Sequence, residues 1–163
     1  MAIKNKKNGF ALIIAVIFMS VMLTLGLALS SLGYKQQILA STAIESQYAF
    51  YAADAGLECA LYADQQQNLF SYSAHDEDNP PQTIVCNNSS ATQLSYTYNS
   101  DRLTVTERLS LDSNTRCADI TIYKYNDSSY GTYIFSQGYD VSCTTVASPN
   151  SVRFVSRGMI SHY

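Results

Sequence analysis

The chain has 163 residues, with 10 lysines and arginines against 13 aspartates and glutamates, a formal net charge of −3. Beyond Asp64 the basic residues Arg102, Arg108, Arg116, Lys124, Arg153 and Arg157 are dispersed, and no stripe that could track a phosphate backbone forms, so nucleic acid is not an expected partner. The two histidines, His75 and His162, sit in no nucleophile or metal motif, and no catalytic constellation or cofactor fingerprint is visible, so an enzyme is not expected.

Lys4, Lys6 and Lys7 lead into Gly9-Phe10, and from Phe10 to Gly33 there follow 24 residues without a charge. As a helix this run spans about 36 Å, enough for a hydrocarbon core of about 30 Å. A basic start followed by apolar residues also describes a cleaved secretory signal, but the apolar stretch of such signals is normally about 7–15 residues, and this one is longer. A plain uncleaved anchor is the other general reading.

The segment Lys6-Lys7-Asn8-Gly9-Phe10-Ala11-Leu12-Ile13-Ile14 resembles the processing site of type IV prepilins and secretion pseudopilins. The resemblance implies cutting after Gly9 by a prepilin peptidase, methylation of the new terminal Phe10, and retention of the apolar helix as anchor and then filament core. It departs from the major-pilin pattern at Ile14, where a glutamate is usual. Ile14 cannot supply a charge pair in a low-dielectric core, which points to a minor subunit of PilX or pseudopilin K type. A second motif, Ala49-Phe50-Tyr51-Ala52-Ala53-Asp54-Ala55-Gly56-Leu57, is similar to a stretch of PilX-type minor pilins, with Asp54 in place of glutamate.

No proline precedes Pro80, and good helix formers dominate from Gln36 to Gln67, so the helix should continue past the membrane. Ile44, Tyr48, Tyr51, Ala55, Cys59 and Tyr62 recur at helical spacing and predict the face that packs on the rest of the chain, or else one kept for other subunits. Phe50, Leu57 and Leu61 form a neighbouring stripe. Asp54 and Glu58 stand one turn apart as a solvated face or a salt-bridging one. Gly26 and Gly33 weaken the helix and mark where it is expected to melt partly on assembly.

From Gln65 through Gln82, with Asp76-Glu77-Asp78 and Pro80-Pro81, the chain reads as loop. Strands are expected near Thr83–Cys86, Gln93–Tyr98, Leu103–Leu111, Ala118–Tyr125, Thr132–Gln137, Tyr139–Cys143 and Val152–Ser161, in an antiparallel meander. Tyr96, Tyr98, Tyr123 and Tyr125 are expected in the sheet face and core, with carbohydrate binding as the alternative. Cys59, Cys86, Cys117 and Cys143 are even in number with no C-x-x-C pair, the pattern of disulfides in an exported domain. Of the three connectivities, Cys59–Cys86 and Cys117–Cys143 are favoured. Asp76, Glu77 and Asp78, and also Asp112, Asn114 and Asp119, are weak calcium candidates without EF-hand spacing.

The expected fold class is α+β, a long N-terminal transmembrane and assembly helix packed on a C-terminal antiparallel β-sheet domain, the pilin-like lollipop. Its expected parts are a leader over 1–9, the membrane helix over 10–33, an amphipathic continuation over 34–68 and a disulfide-braced β-rich domain over 69–163. The implied role is a minor subunit of a type IV pilus or pseudopilus acting in assembly or at the tip. Its partners would be other pilin subunits, the prepilin peptidase and the inner membrane, with the exported domain later at the cell surface. A single-pass surface adhesin or ligand-binding protein outside any filament is the rival reading.

Overall fold

The computed structural model describes residues 8–86 and 88–163; Lys4, Lys6 and Lys7 lie outside them. The chain divides into two compact units, residues 1–41 and 42–163. One helix, α1 (Asn8–Gln65), contributes to both. Its length follows from the absence of proline and the run of apolar and helix-forming residues.

In the first unit every large apolar side chain from Phe10 to Leu39 is exposed. Its hydroxyls are spent locally: Ser20, Thr24 and Ser31 donate to the carbonyls of Ile17, Val21 and Ala28 at 2.8, 2.9 and 2.8 Å. The segment therefore exposes hydrocarbon while satisfying those polar groups internally, as a lipid environment requires.

In the second unit the C-terminal part of α1 packs on a five-stranded antiparallel sheet. The strands are β3 (Thr92–Tyr98), β4 (Arg102–Leu111), β5 (Arg116–Tyr125), β6 (Thr132–Tyr139) and β7 (Ser156–His162), joined in chain order. A two-stranded ribbon, β1 (Val85–Cys86) and β2 (Ser89–Ser90), precedes them. Alternation fixes the faces: in β4, Leu103, Val105, Glu107 and Leu109 are buried while the residues between them are half-exposed. Ile120, Ile122 and Ile134 continue that row, and Phe70, Ile84, Leu57, Ala60 and Ala63 close over it.

The face of α1 that meets the sheet is only partly the predicted one: Cys59 packs against the core and Ala55 is half-buried, but the rest of that stripe stays outside. Ala49, Ala52, Ala53, Gly56, Leu57, Ala60 and Ala63 are buried, whereas Ile44, Tyr48, Tyr51 and Tyr62 are exposed, Tyr51 by 64%. The reason is distance. A Cβ on Gly138 in β6 would collide with the backbone of Ala49, Ala52 and Ala53, and one on Gly56 would come within 2.7 Å of Ser136 Oγ and 2.9 Å of Ala118 Cβ. Where Gly138 and Gly56 face the opposite layer only methyl groups and bare backbone fit, and bulky aromatic rings are pushed to the flanks.

Two predicted strands also change. Tyr139 ends β6, and the stretch to Cys143 becomes a turn into the short helix α2 (Cys143–Ala147), whose N-cap Ser142 accepts from Thr145 N at 3.4 Å. The last strand begins at Ser156, not Val152. Asn150 and Ser151 take positive φ of 37° and 69° in a turn closed by Val152 N donating to Pro149 O at 2.6 Å.

Candidate functional site

Gly9 and Phe10 lie in the opening turns of α1. Phe10 is 73% and Ile14 52% exposed, so both are outward-facing hydrocarbons. The helix is long and apolar enough to cross a membrane as a single span. Gly26 and Gly33 sit within it in unbroken helix, and a Cβ at either would meet nothing within 4 Å.

The four cysteines pair as Cys59–Cys86, with Cα atoms 6.1 Å apart, and Cys117–Cys143, at 4.8 Å. The first ties α1 to β1, and the second ties the start of β5 to α2. Asp76, Glu77 and Asp78 form a tight turn in which Asp76 Oδ1 accepts from Asp78 N at 3.0 Å and the Asp76 carbonyl accepts from Tyr96 OH. Asp112 accepts from Thr115 Oγ1 at 3.1 Å, Asn114 Oδ1 accepts from Ser110 Oγ at 2.9 Å, and Asp119 is held bidentately by Arg108 at 2.7 Å. Among the described residues no three His, Cys, Asp or Glu side chains gather in a metal-binding arrangement.

The tyrosines divide between the two sheet faces. Tyr96 and Tyr98 pack against the core, Tyr98 stacked on Tyr72 at 4.9 Å. Tyr123 and Tyr125 lie on the opposite face, where the Arg102 guanidinium stands 4.9 and 5.8 Å from their ring centroids. His162 stacks on Tyr133 at 4.1 Å, and His75 Nε2 lies 2.9 Å from Leu69 O.

The misread stripe of α1 has a place of its own. Tyr48, Tyr51, Ala55 and Cys59 form one wall of a groove of about 350 Å³, closed on the far side by Leu111 and Arg116. The Arg116 guanidinium lies 4.3 Å from the Tyr48 ring centroid, and its Nε is buried with no hydrogen-bond partner. Helical periodicity marked this stripe correctly as apolar, but not the side of the helix that a small-residue contact claims first.

Three buried polar groups carry no motif. Asp64, 3% exposed at the end of α1, accepts from Lys124 Nζ at 2.6 Å and from Tyr163 OH. Glu107 is fully buried; its Oε2 accepts from Ile84 N at 2.9 Å, its Oε1 has no partner, and burial holds its pKa above the ordinary carboxylate value against the opposing pull of that bond. Ser136 Oγ is likewise buried without a partner. For Glu107 a signal existed in the strict alternation of β4, which sets it in the Leu103-Val105-Leu109 row. For the Asp64 and Lys124 pair, 60 residues apart in sequence, there was none. No family model, curated protein or solved structure matches this chain.

Proposed function

We propose that this chain is a minor subunit of a type IV pilus or a related pseudopilus, acting in filament assembly or at the tip. The observation that carries the reading is the Gly9-Phe10 dipeptide at the head of an unbroken helix whose first 24 residues from Phe10 carry no charge and whose Ile14 lacks the carboxylate of major subunits. Cleavage after Gly9 would remove the three leader lysines and leave 7 basic against 13 acidic residues, a net −6. The helix then begins at an apolar terminus and continues into a domain held by two disulfides.

Local chemistry supports extraction of the helix from a bilayer into a filament. The hydroxyls of Ser20, Thr24 and Ser31 are bonded within the helix, so moving it between two apolar surroundings does not strip them of partners. The role proposed for Phe10–Gly33 is to exchange lipid for neighbouring helices, and that for the second unit is to present a covalently braced surface to solvent. This is an assembly function and needs no catalytic group of the chain.

N-terminal sequencing and mass spectrometry of the mature protein test it. A chain starting at methylated Phe10 and recovered in sheared filaments at low stoichiometry is the expected result. An intact leader, or a start near residue 31, would replace the filament reading with an anchored or secreted surface protein. Recovery at stoichiometry equal to the bulk subunit would sink the minor-subunit assignment.

A further inference from the structure

The exposed flanks of α1 in the second unit carry two features of opposite character. On one flank lies the groove of Tyr48, Tyr51, Ala55 and Leu111, whose only cation, Arg116, has no carboxylate partner among the described residues. On the other, Phe50, Asp54 and Glu58 follow one another at i, i+4 and i+8 as a ridge on one helical face. Phe50 is 46% exposed, and neither Asp54 nor Glu58 has an ion-pair partner among the described residues.

We infer that the groove is a docking site for a second copy of this chain, which inserts its Phe50-Asp54-Glu58 ridge so that a carboxylate reaches Arg116. Charge complementarity selects this occupant. The groove offers an apolar, ring-lined floor and one half-buried guanidinium, which stands over the Tyr48 ring and donates from Nη1 to the Thr115 carbonyl at 3.1 Å; the ridge offers a ring and two unpaired carboxylates at helical spacing. Arginine bonded to a carboxylate in a partly desolvated site makes a stronger and more directional pair than one left on an aromatic face. Asp112 at the groove rim does not compete, because its carboxylate is turned into its own loop toward Thr115.

Groove and ridge are different patches of the same helix that meet where the Phe50 ring stands edge-on to the Tyr51 ring at 6.0 Å, so the patch one copy offers is not the patch it receives. Such a contact is heterologous, because two different patches of the chain meet. The inference deepens the filament reading by naming a subunit contact of the exported unit, and rests on it for its biological meaning alone.

The test is self-association of the purified full chain in zwitterionic detergent, followed by sedimentation equilibrium at low and high salt. Wild type should associate with concentration, more weakly in high salt. Arg116→Glu alone, and Asp54→Lys with Glu58→Lys, should each weaken association by about tenfold or more, and combining all three should restore most of it, as reciprocal charge pairs do. Absence of free thiols and an unchanged unfolding midpoint establish that the variants are folded. Wild type that stays monomeric, charge reversals without effect, or a combination that fails to recover would each overturn the inference. If wild type is monomeric yet Arg116→Glu is lost from filaments, another subunit fills the groove and the second-copy assignment falls while the filament reading stands. Association through the groove by a chain whose leader is never cut would separate them in the opposite sense.

Discussion

Asp64 at the end of α1 and Lys124 in β5 meet at 2.6 Å across the interface between helix and sheet, and the Asp64 carboxylate is almost wholly enclosed. Tyr163 OH donates to the same oxygen, while Oδ1 is buried without a partner. Lys124 keeps 24% of its side chain exposed, so the pair is half wet. Removing the lysine strands a buried charge, which costs about 3–5 kcal/mol in a closed site and less here, roughly 2–3. Lys124→Met should therefore lower stability by about 2–3 kcal/mol in urea unfolding, whereas Asp64→Asn with Lys124→Met together should recover part of the loss.

Glu107 predicts a pH dependence. Its carboxyl is held above the ordinary value by burial, with the Ile84 N–H bond only partly offsetting it. The folded state therefore binds this proton more tightly than the unfolded one. Its contribution is fully present below the unfolded carboxylate value, near 4.3, and is lost as pH rises through the higher folded value. Glu107→Gln should remove that slope, so that the difference between variant and wild type grows in the variant's favour from about pH 4 to pH 8. Parallel pH profiles of the two proteins would contradict this.

The interlayer distance makes the glycines unequal. At Gly138 an added methyl meets helix backbone, which cannot rotate away, and Gly138→Ala should cost more than about 3 kcal/mol or prevent folding. At Gly56 it meets the Ser136 hydroxyl, which can turn, and the Ala118 methyl, which cannot, so Gly56→Ala should cost about 1–3 kcal/mol. Gly26→Ala and Gly33→Ala, facing open space, should leave the unfolding midpoint of the sheet domain where it is. Thermal unfolding followed by near-ultraviolet circular dichroism ranks all four.

The disulfides close loops of 27 and 26 residues in sequence separation. On the chain-entropy account each contributes about 3–4 kcal/mol. Cys59→Ser with Cys86→Ser should free the tip of the β1–β2 ribbon first, because β1 has only two residues and pairs with β2 alone, while Ile84 beside it and Phe70 before it stay buried in the core. Protease sensitivity between residues 85 and 90, arising before loss of the sheet signal, is the expected sign.

What could be read from the sequence depended on the range of the interaction. The long helix, the β4 and β5 strands and the order of the meander follow from local periodicity and from the placing of turn residues such as Asn99-Ser100-Asp101. Which side of α1 faces the sheet did not follow, because periodicity ranks faces by hydrophobicity while the interface is decided by volume. Ala49, Ala52, Ala53 and Gly56 look unremarkable beside Tyr48 and Tyr51 until Gly138 is known to lie opposite them. The stretch from Tyr139 has the tyrosine, valine and cysteine of a strand, and the Ser142 cap overrules those propensities with one local bond. The run from Phe10 to Gly33 was the most legible part as a helix long and apolar enough to cross a membrane, since its 24 residues carry no charge and no proline.

The contact at Gly138 has a mechanical side. Ala53 rests directly against it, and Asp64 is clamped 11 residues further on, about 16 Å along the axis at 1.5 Å per residue. Between the two lies Cys59, bonded to β1. A pull along α1 would thus load an interlocked backbone, a covalent tether and an ion pair together in shear, and could not unzip them singly. The helix has no room to creep along its seat, so tension in the second unit is borne at three points at once.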